Sequence, residues 1–349
     1  MASTVIPAKL PAFLMAMTTM TDKRRLQAEQ WASQRLGWTD FSSESISSDA
    51  SFRRYFRLSR PGTSVVVMDA PPDREPVHAF LDVASRLNTV VHVPEVLAAD
   101  PEQGFVTLAD LGNRPYHREL IDDNADALFT DALCALIRMQ THIESSTLPD
   151  YDPARLYGEL ALFPEWFLAY HWQVEPTEEE LDTWDHICSL LVRWALDQPQ
   201  VFCHRDFMPR NLMISEPNPG IIDFQDAVRG PISYDPVCLF RDAFLSWEPA
   251  RVDAWLEDYR QQALAAGLPI TTSADLWRKT CDLMGVQRHL KVIGIFARIR
   301  YRDGKPAYLD DQARFFAYLD QAIARNPELA LLDQLLKAWR SRAARIQAE

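Results

Sequence analysis

Apolar positions change their period twice along the chain. Between residues 22 and 36 (DKRRLQAEQWASQRL) they recur at helical spacing, with Leu26, Trp31 and Leu36 near one stripe, and predict an opening helix. The chain then switches to short β-rich runs: FRRYFRL (52–58) and SVVVM (64–68), parted by Pro61-Gly62, read as a hairpin. Alternation puts Phe52, Arg54, Phe56 and Leu58 on one face of the first run and Ser51, Arg53, Tyr55 and Arg57 on the other. A helical stretch follows from Pro76 to about Asn88, and EVLAAD (95–100) and GFVTLAD (104–110) supply two more strands. Strand, strand, helix, strand, strand is the content of a small antiparallel sheet with one crossing helix.

From about Asn113 the pattern turns helical, over 123–145, 153–172, 176–197, 235–247, 250–267, 275–302 and 309–345. Two islands interrupt it. VFCH (201–204), and the pair NLMI (211–214) and GIIDF (220–224), are too short and too β-branched for helices and are punctuated by Pro209, Pro217 and Pro219. The expected fold class is α+β, a β lobe over 21–110 followed by a mostly α lobe over 111–349. No internal repeat points to a solenoid. Residues 1–20 read as a flexible leader, because Lys9 and the run Leu10–Met17 offer one basic residue, a barely sufficient apolar length and no signal-peptide cleavage site.

Charge and composition narrow the functional classes. Across 349 residues, 36 Lys and Arg stand against 49 Asp and Glu, a formal net charge of −13. That balance disfavours a sequence-independent nucleic-acid binder, and FRRYFRL fits a strand better than a basic patch. No apolar run approaches the roughly 18 residues of a membrane span, so no membrane partner is expected. The five cysteines, Cys134, Cys188, Cys203, Cys238 and Cys281, are scattered without a CxxC pair and read as buried, reduced thiols of a cytoplasmic protein.

The informative segment is VFCHRDFMPRNLMISEPNPGIIDFQD, residues 201–226. His204-x-Asp206 is followed by Asn211, a short strand, a turn and Asp223 on the next strand, the spacing of a phosphotransferase catalytic loop and metal-binding strand. Phosphoryl transfer needs a carboxylate beside the attacking hydroxyl and hard oxygen ligands for the Mg²⁺ that bridges nucleotide phosphates. The competing interpretation is a β-hairpin with Asp and Asn at its turns. Four specified residues at two fixed spacings favour the chemistry.

HRDFMPRN followed by IIDFQD resembles the aminoglycoside phosphotransferase and choline kinase branch of the protein-kinase-like fold. The lobe order extends the likeness over about 22–345. SDASFRRYFRL (48–58), VVMDAPP (66–72) and QRHLKVIGIFARI (287–299) are similar to bacterial kinases that phosphorylate the anomeric hydroxyl of N-acetylmuramate and N-acetylglucosamine during cell-wall recycling. The resemblance implies a two-lobed kinase using ATP and Mg²⁺. Asp206 would be the catalytic base, Asn211 and Asp223 the metal ligands, and His204 a brace for the loop. Asp235 would steady that loop, or act as a helix N-cap before Pro236. Leu108–Gly112 would be the interlobe hinge, with Leu108 and Asp110 near the adenine.

Two departures from the family pattern are visible. Ser47-Ser48-Asp49-Ala50-Ser51 stands where a Gly-rich loop would cover the phosphates, leaving Ser48 and Ser51 as hydroxyl donors. Met68 replaces the third-strand lysine, and Arg54 is the expected substitute cation, unless it only snorkels from the sheet edge. These departures keep a nucleotide-binding pseudokinase open as an alternative. An aminoglycoside or other small-alcohol kinase is the nearer one.

For the acceptor, Arg288, Lys291, Arg298 and Arg302 fall near one side of a helix that would suit a lactyl carboxylate or simply be solvated. Arg210 and Gln225 lie in or beside the motif, and Trp166, Tyr234 and Trp247 are candidates for stacking or for packing between helices. The partner is expected to be a small amino sugar and the protein a monomer. An anomeric hydroxyl, more acidic than an ordinary alcohol, asks little pKa tuning of Asp206.

Overall fold

The computed structural model describes residues 12–47 and 52–348. The chain divides into two compact units, the first running to Ala84 and regaining Pro94–Leu111, the second comprising Ser85–Val93 and the chain from Gly112.

In the first unit, helix α1 (Ala12–Leu36) precedes strands β1 (Ser42–Ser47), β2 (Arg54–Arg60) and β3 (Thr63–Asp69). Helix α2 (His78–Leu87) begins in this unit, and β4 (Val96–Asp100) and β5 (Phe105–Ala109) complete the sheet. The sheet is antiparallel in the order β1-β2-β3-β5-β4. The expected β2–β3 hairpin forms around Pro61-Gly62, with Arg60 opposite Thr63 and Gly62 at φ 80°, a conformation that glycine adopts freely. Strand β1 was not expected, since SSESIS carries one apolar side chain and gives no alternation to read.

Helix α1 starts ahead of the predicted residue 22, so the expected leader falls partly within it and partly, over residues 1–11, outside the described residues. Its buried stripe is Ala28, Trp31 and Ala32, which packs with Trp38, Leu58, Val65, Val67 and Phe105. Leu26 is 61% exposed, because five residues separate it from Trp31 and only three- or four-residue steps stay on one face. In β2, Phe56 and Leu58 point inward as alternation requires, while Phe52 lies before the strand and is exposed.

The second unit is mostly helical: α3 (Tyr116–Glu119), α4 (Ala125–His142), α5 (Pro153–Leu162), α6 (Glu178–Leu196), then α7 (Tyr234–Phe240), α8 (Pro249–Ala265), α9 (Ala274–Asp303), α10 (Gln312–Arg325) and α11 (Ala330–Ala348). Between α6 and α7 lie two small antiparallel pairs. Strand β6 (Gln200–Cys203) pairs with β9 (Val228–Pro231), and β7 (Leu212–Met213) with β8 (Gly220–Ile221). Helix α9 runs through the centre against α5, α6, α7, α8 and α10 and is buried on most of its circumference.

Three predicted helices are broken, each for a local reason. The 153–172 stretch is α-helical only to Leu162 and continues as a π-helix over Phe163–Trp172, where Pro164 has no amide hydrogen to give. The 235–247 helix ends at Phe240, because the Asp242 carboxylate takes the amides of Phe244 and Leu245 at 2.7 and 2.9 Å. The 309–345 helix is interrupted at Asn326-Pro327, which separates α10 from α11. Four cysteines are buried and Cys134 is exposed, contrary to the expectation that all are inside, and all five are free thiols.

Candidate active site

Strand β6 carries the buried run Val201-Phe202-Cys203 and hands the chain to a loop whose first residue, His204, is fully buried. Burial lowers the imidazole pKa below its ordinary value. The neutral ring is then polarised by its contacts: Nδ1 accepts the Asp206 amide at 3.3 Å and Nε2 donates to the Ile222 carbonyl at 3.2 Å. His204 thus bridges the loop to the chain leaving β8.

Arg205 lies at φ 74°, in the left-handed region that costs a non-glycine residue about 1–2 kcal/mol. Asp235 holds this bend. Its buried carboxylate accepts the amides of His204 at 2.7 Å and Arg205 at 3.0 Å. Burial pushes the Asp235 carboxyl up, against the pull of His204 and the two amides. The helix N-cap is Ser233, without a side-chain cap bond, so Asp235 in the first turn of α7 serves the loop and not the helix end.

Asn211 closes the other end of the loop. Its Nδ2 donates to the Asp206 carbonyl at 2.9 Å and toward Asp223 Oδ2 at 3.4 Å, while the Ile222 amide reaches its carbonyl at 3.0 Å. Asp223 is exposed, sits at φ 63°, and accepts from Gln225 Nε2 at 2.8 Å on Oδ1. Asp206, Asn211, Asp223 and Gln225 are therefore brought together by one loop and one two-residue β pair.

With Nδ2 of Asn211 turned to protein acceptors, Oδ1 is its oxygen for any further ligand, beside the Asp223 carboxylate. Among the described residues no three His, Cys, Asp or Glu side chains cluster as a metal cage. Two protein oxygens suit Mg²⁺, which keeps waters and substrate phosphates as its remaining ligands. The donor set fits that ion.

Under the loop lies a buried ionic network that the sequence reading missed. Arg205 Nη2 donates to Glu159 Oε1 at 2.7 Å, and Lys291 Nζ pairs with the same oxygen at 2.9 Å. The Tyr151 hydroxyl and Gln287 Nε2 donate to the other Glu159 oxygen, Gln287 at 3.2 Å. Burial alone would raise the Glu159 pKa, but Lys291 and Arg205 outweigh it and the carboxyl stays below its ordinary range. The only advance sign was the cluster of polar Gln287, Arg288, His289 and Lys291 inside the otherwise apolar stretch 283–297, since partners 46 and 132 residues away carry no spacing signature.

The substrate candidates separate. Arg288 is 1% exposed, donates Nη2 to Cys238 Sγ at 3.0 Å, and has no partner for Nε and Nη1 among the described residues. Arg298 is half-buried and Arg302 exposed, so the expected basic side runs from core to solvent and is not one face. Tyr234 is buried, takes a hydrogen bond from Lys291 at 3.1 Å and meets Tyr151 edge-on at 5.3 Å. Its ring is core and is not presented for stacking. Trp247 packs edge-on against Trp255 and Phe129, while Trp166 stacks on Tyr170 at 5.0 Å. Arg210 is half-buried, with its guanidinium 3.8 Å from the Phe244 ring centre.

In the first unit, Ser48 and Ser51 lie outside the described residues. Arg54 faces Asp69 across the β2–β3 ladder and donates Nε to Oδ2 at 3.1 Å and Nη2 to the same oxygen, while Arg24 Nε donates to Oδ1 at 2.7 Å. Met68 is buried between Tyr55 and Val106. Leu108 pairs with both Val66 and Val96, so it lies inside the sheet, and the exit from β5 begins only after Ala109. The Asp110 carboxylate is held by Arg57 at 2.6 and 3.0 Å and by Ser64 at 2.6 Å. This ties Asp110 to the middle of β2 and the start of β3.

Known proteins with this arrangement can be set beside it. The chain is 57% identical over 291 residues to the N-acetylmuramate/N-acetylglucosamine kinase of Pseudomonas aeruginosa, covering 83% of this chain and 86% of that protein. It is 49% identical to the kinase of the same name from Pseudomonas putida, covering 90% and 96%. In fold it is similar to a choline kinase from Streptococcus pneumoniae, with a TM-score of 0.61 at 12% identity, covering 86% of this chain and 99% of that one. An ADP-bound aminoglycoside phosphotransferase gives 0.57 at 15% identity, covering 85% and 98%. The phosphotransferase enzyme family matches residues 42–277, a stretch that contains the loop over 204–211, Asp223 and Asp235, and the chain belongs to that family.

Proposed function

We propose that this protein transfers the γ-phosphoryl group of ATP to the anomeric C1 hydroxyl of N-acetylmuramate and N-acetylglucosamine, as a cytoplasmic monomer of cell-wall recycling. The observation that carries the reading is 57% identity, over most of both chains, to a kinase named for those two sugars. The loop supports it: Asp206 follows a bend fixed by Asp235 and His204, and its carbonyl is tied to Asn211.

Asp206 orients the sugar hydroxyl and takes its proton as the new O–P bond forms and the bond from the γ-phosphorus to the departing ADP breaks. Asn211 Oδ1 and the Asp223 carboxylate would hold Mg²⁺, whose charge offsets that building on the phosphoryl oxygens. Gln225 holds the Asp223 carboxylate in place. Arg54, oriented by the Asp69 carboxylate that Arg24 also holds, supplies positive charge for the nucleotide in place of the lysine absent at Met68.

The deciding experiment offers Mg-ATP with N-acetylmuramate, N-acetylglucosamine, kanamycin, choline and homoserine, and locates the phosphate by phosphorus NMR. An acid-labile anomeric phosphate from the two amino sugars is expected. A stable ester elsewhere would overturn the regiochemistry, turnover of kanamycin or choline alone would overturn the acceptor, and nucleotide binding without any turnover would favour a pseudokinase.

A further inference from the structure

Two carboxylates on two helices grip Arg205 by opposite ends. Asp235 of α7 takes its amide at 3.0 Å, and Glu159 of α5 takes its guanidinium at 2.7 Å. Between these holds the backbone stands at φ 74°, and the next residue is Asp206. Only two other described non-glycine residues have positive φ, Gln173 and Asp223.

Glu159 does not need Arg205 for its own neutralisation. Lys291, at 2.9 Å, already balances its charge, and Tyr151 and Gln287 already donate to its second oxygen. A buried ion pair is also a weak source of stability compared with apolar packing of the same volume. The second cation comes instead from the loop residue whose backbone is in a conformation its side chain disfavours. Its guanidinium is further confined over the Tyr151 ring, 5.3 Å from the centre, and its carbonyl lies 3.7 Å from the Cys238 thiol.

We propose that Glu159 is a positioning residue for phosphoryl transfer, acting through its ion pair with Arg205 to hold the left-handed bend that aims Asp206. The role in turnover rests on Asp206 being the base. The hold on the bend does not. Without the anchor, Arg205 relaxes toward the right-handed or extended basins natural to it, and the Asp206 side chain turns with the peptide. A glycine at 205 would occupy the same φ without steric cost and so need no anchor.

The test compares Glu159→Gln, Arg205→Ala, Arg205→Gly and the Glu159→Gln/Arg205→Gly double variant by kcat, KM for both substrates, and amide hydrogen exchange across residues 203–208. Glu159→Gln should lower kcat about tenfold or more while both KM values stay within about twofold, with faster exchange of the His204 and Arg205 amides. Arg205→Gly should retain more kcat than Arg205→Ala, and adding Glu159→Gln to it should bring no further loss. Wild-type kcat with unchanged exchange in Glu159→Gln overturns the proposal. So does an undiminished Glu159→Gln effect in the glycine background, or Arg205→Ala outperforming Arg205→Gly. Should Glu159→Gln not fold, the comparison of alanine with glycine at 205 decides. If the wild-type protein phosphorylates no amino sugar, the proposed function fails, and the exchange data alone decide whether the bend depends on Glu159.

Discussion

At the scale of single residues the two ends of the proposed chemistry rest on different kinds of restraint. Asp206 is placed by its neighbours' backbone bonds, so Asp206→Asn should leave the loop intact and remove only the proton acceptor. The expected loss in kcat is about 10²–10⁴-fold, with Mg-ATP affinity unchanged in a binding titration. Wild-type turnover in that variant would remove Asp206 as the base. Arg54 pairs with the buried carboxylate of Asp69, which Arg24 also holds. Arg54→Ala leaves Asp69 paired to Arg24, and should weaken Mg-ATP binding roughly fivefold, the equivalent of about 1 kcal/mol. Equal affinity and turnover would take Arg54 out of the nucleotide site. That His204, Asp206, Asn211, Asp223 and Asp235 come together was legible in the sequence, because they lie at short fixed spacings on one loop, the following hairpin and the helix after it. The network of Glu159 with Lys291 and Gln287 was not, because only tertiary packing brings α5, α9 and the loop together at one carboxylate.

Elements were legible where their period was undisturbed and misread where a single residue diverted the backbone. The hairpin at Pro61-Gly62 and the long helix α9 followed from pattern alone. Strand β1 has no pattern of its own and exists through pairing with β2. Proline at 164 and 327 and the carboxylate of Asp242 each redirected a run whose side-chain spacing remained helical. The junction of α5 with its π-helical continuation also fixes how closely α9 can approach. A Cβ on Gly294 would lie 2.4 Å from the Leu162 carbonyl carbon and 2.6 Å from its oxygen. Gly294→Ala gains about 1 kcal/mol of helix propensity but drives that Cβ into backbone, so a net destabilisation of about 1–3 kcal/mol is expected. Thermal or urea unfolding of the variant measures it, and a more stable Gly294→Ala protein would show that α9 can be displaced from α5 at little cost.

For the whole molecule, net charge proved a poor guide to where charge matters. The excess of acids is carried with guanidinium and ammonium groups placed inside: Arg288 and Lys291 are buried and the loop's own Arg205 is half-buried in a chain with a formal charge of −13. No helix among the described residues is long and apolar enough to cross a membrane. The same burial sets the pH response. His204 and His289 are fully buried and His117 and His171 partly so, and in each desolvation depresses the pKa below the ordinary 6.5. A depressed imidazole pKa means that the unfolded chain binds protons that the folded chain refuses. Stability from these groups is complete above about pH 6.5 and falls as the pH drops through the folded values. Glu159, held below its ordinary range by Lys291 and Arg205, adds a second loss of the same sign at lower pH. Urea midpoints should therefore be flat above about pH 7 and decline below about pH 6.5, each buried imidazole contributing at most about 1.4 kcal/mol per pH unit. His289, whose ring stacks on Tyr318 at 4.8 Å and contacts the Arg241 carbonyl at 3.3 Å, is the most depressed of the four. His289→Gln should flatten the decline, and a slope identical to wild type would assign the acid sensitivity to the carboxylates alone.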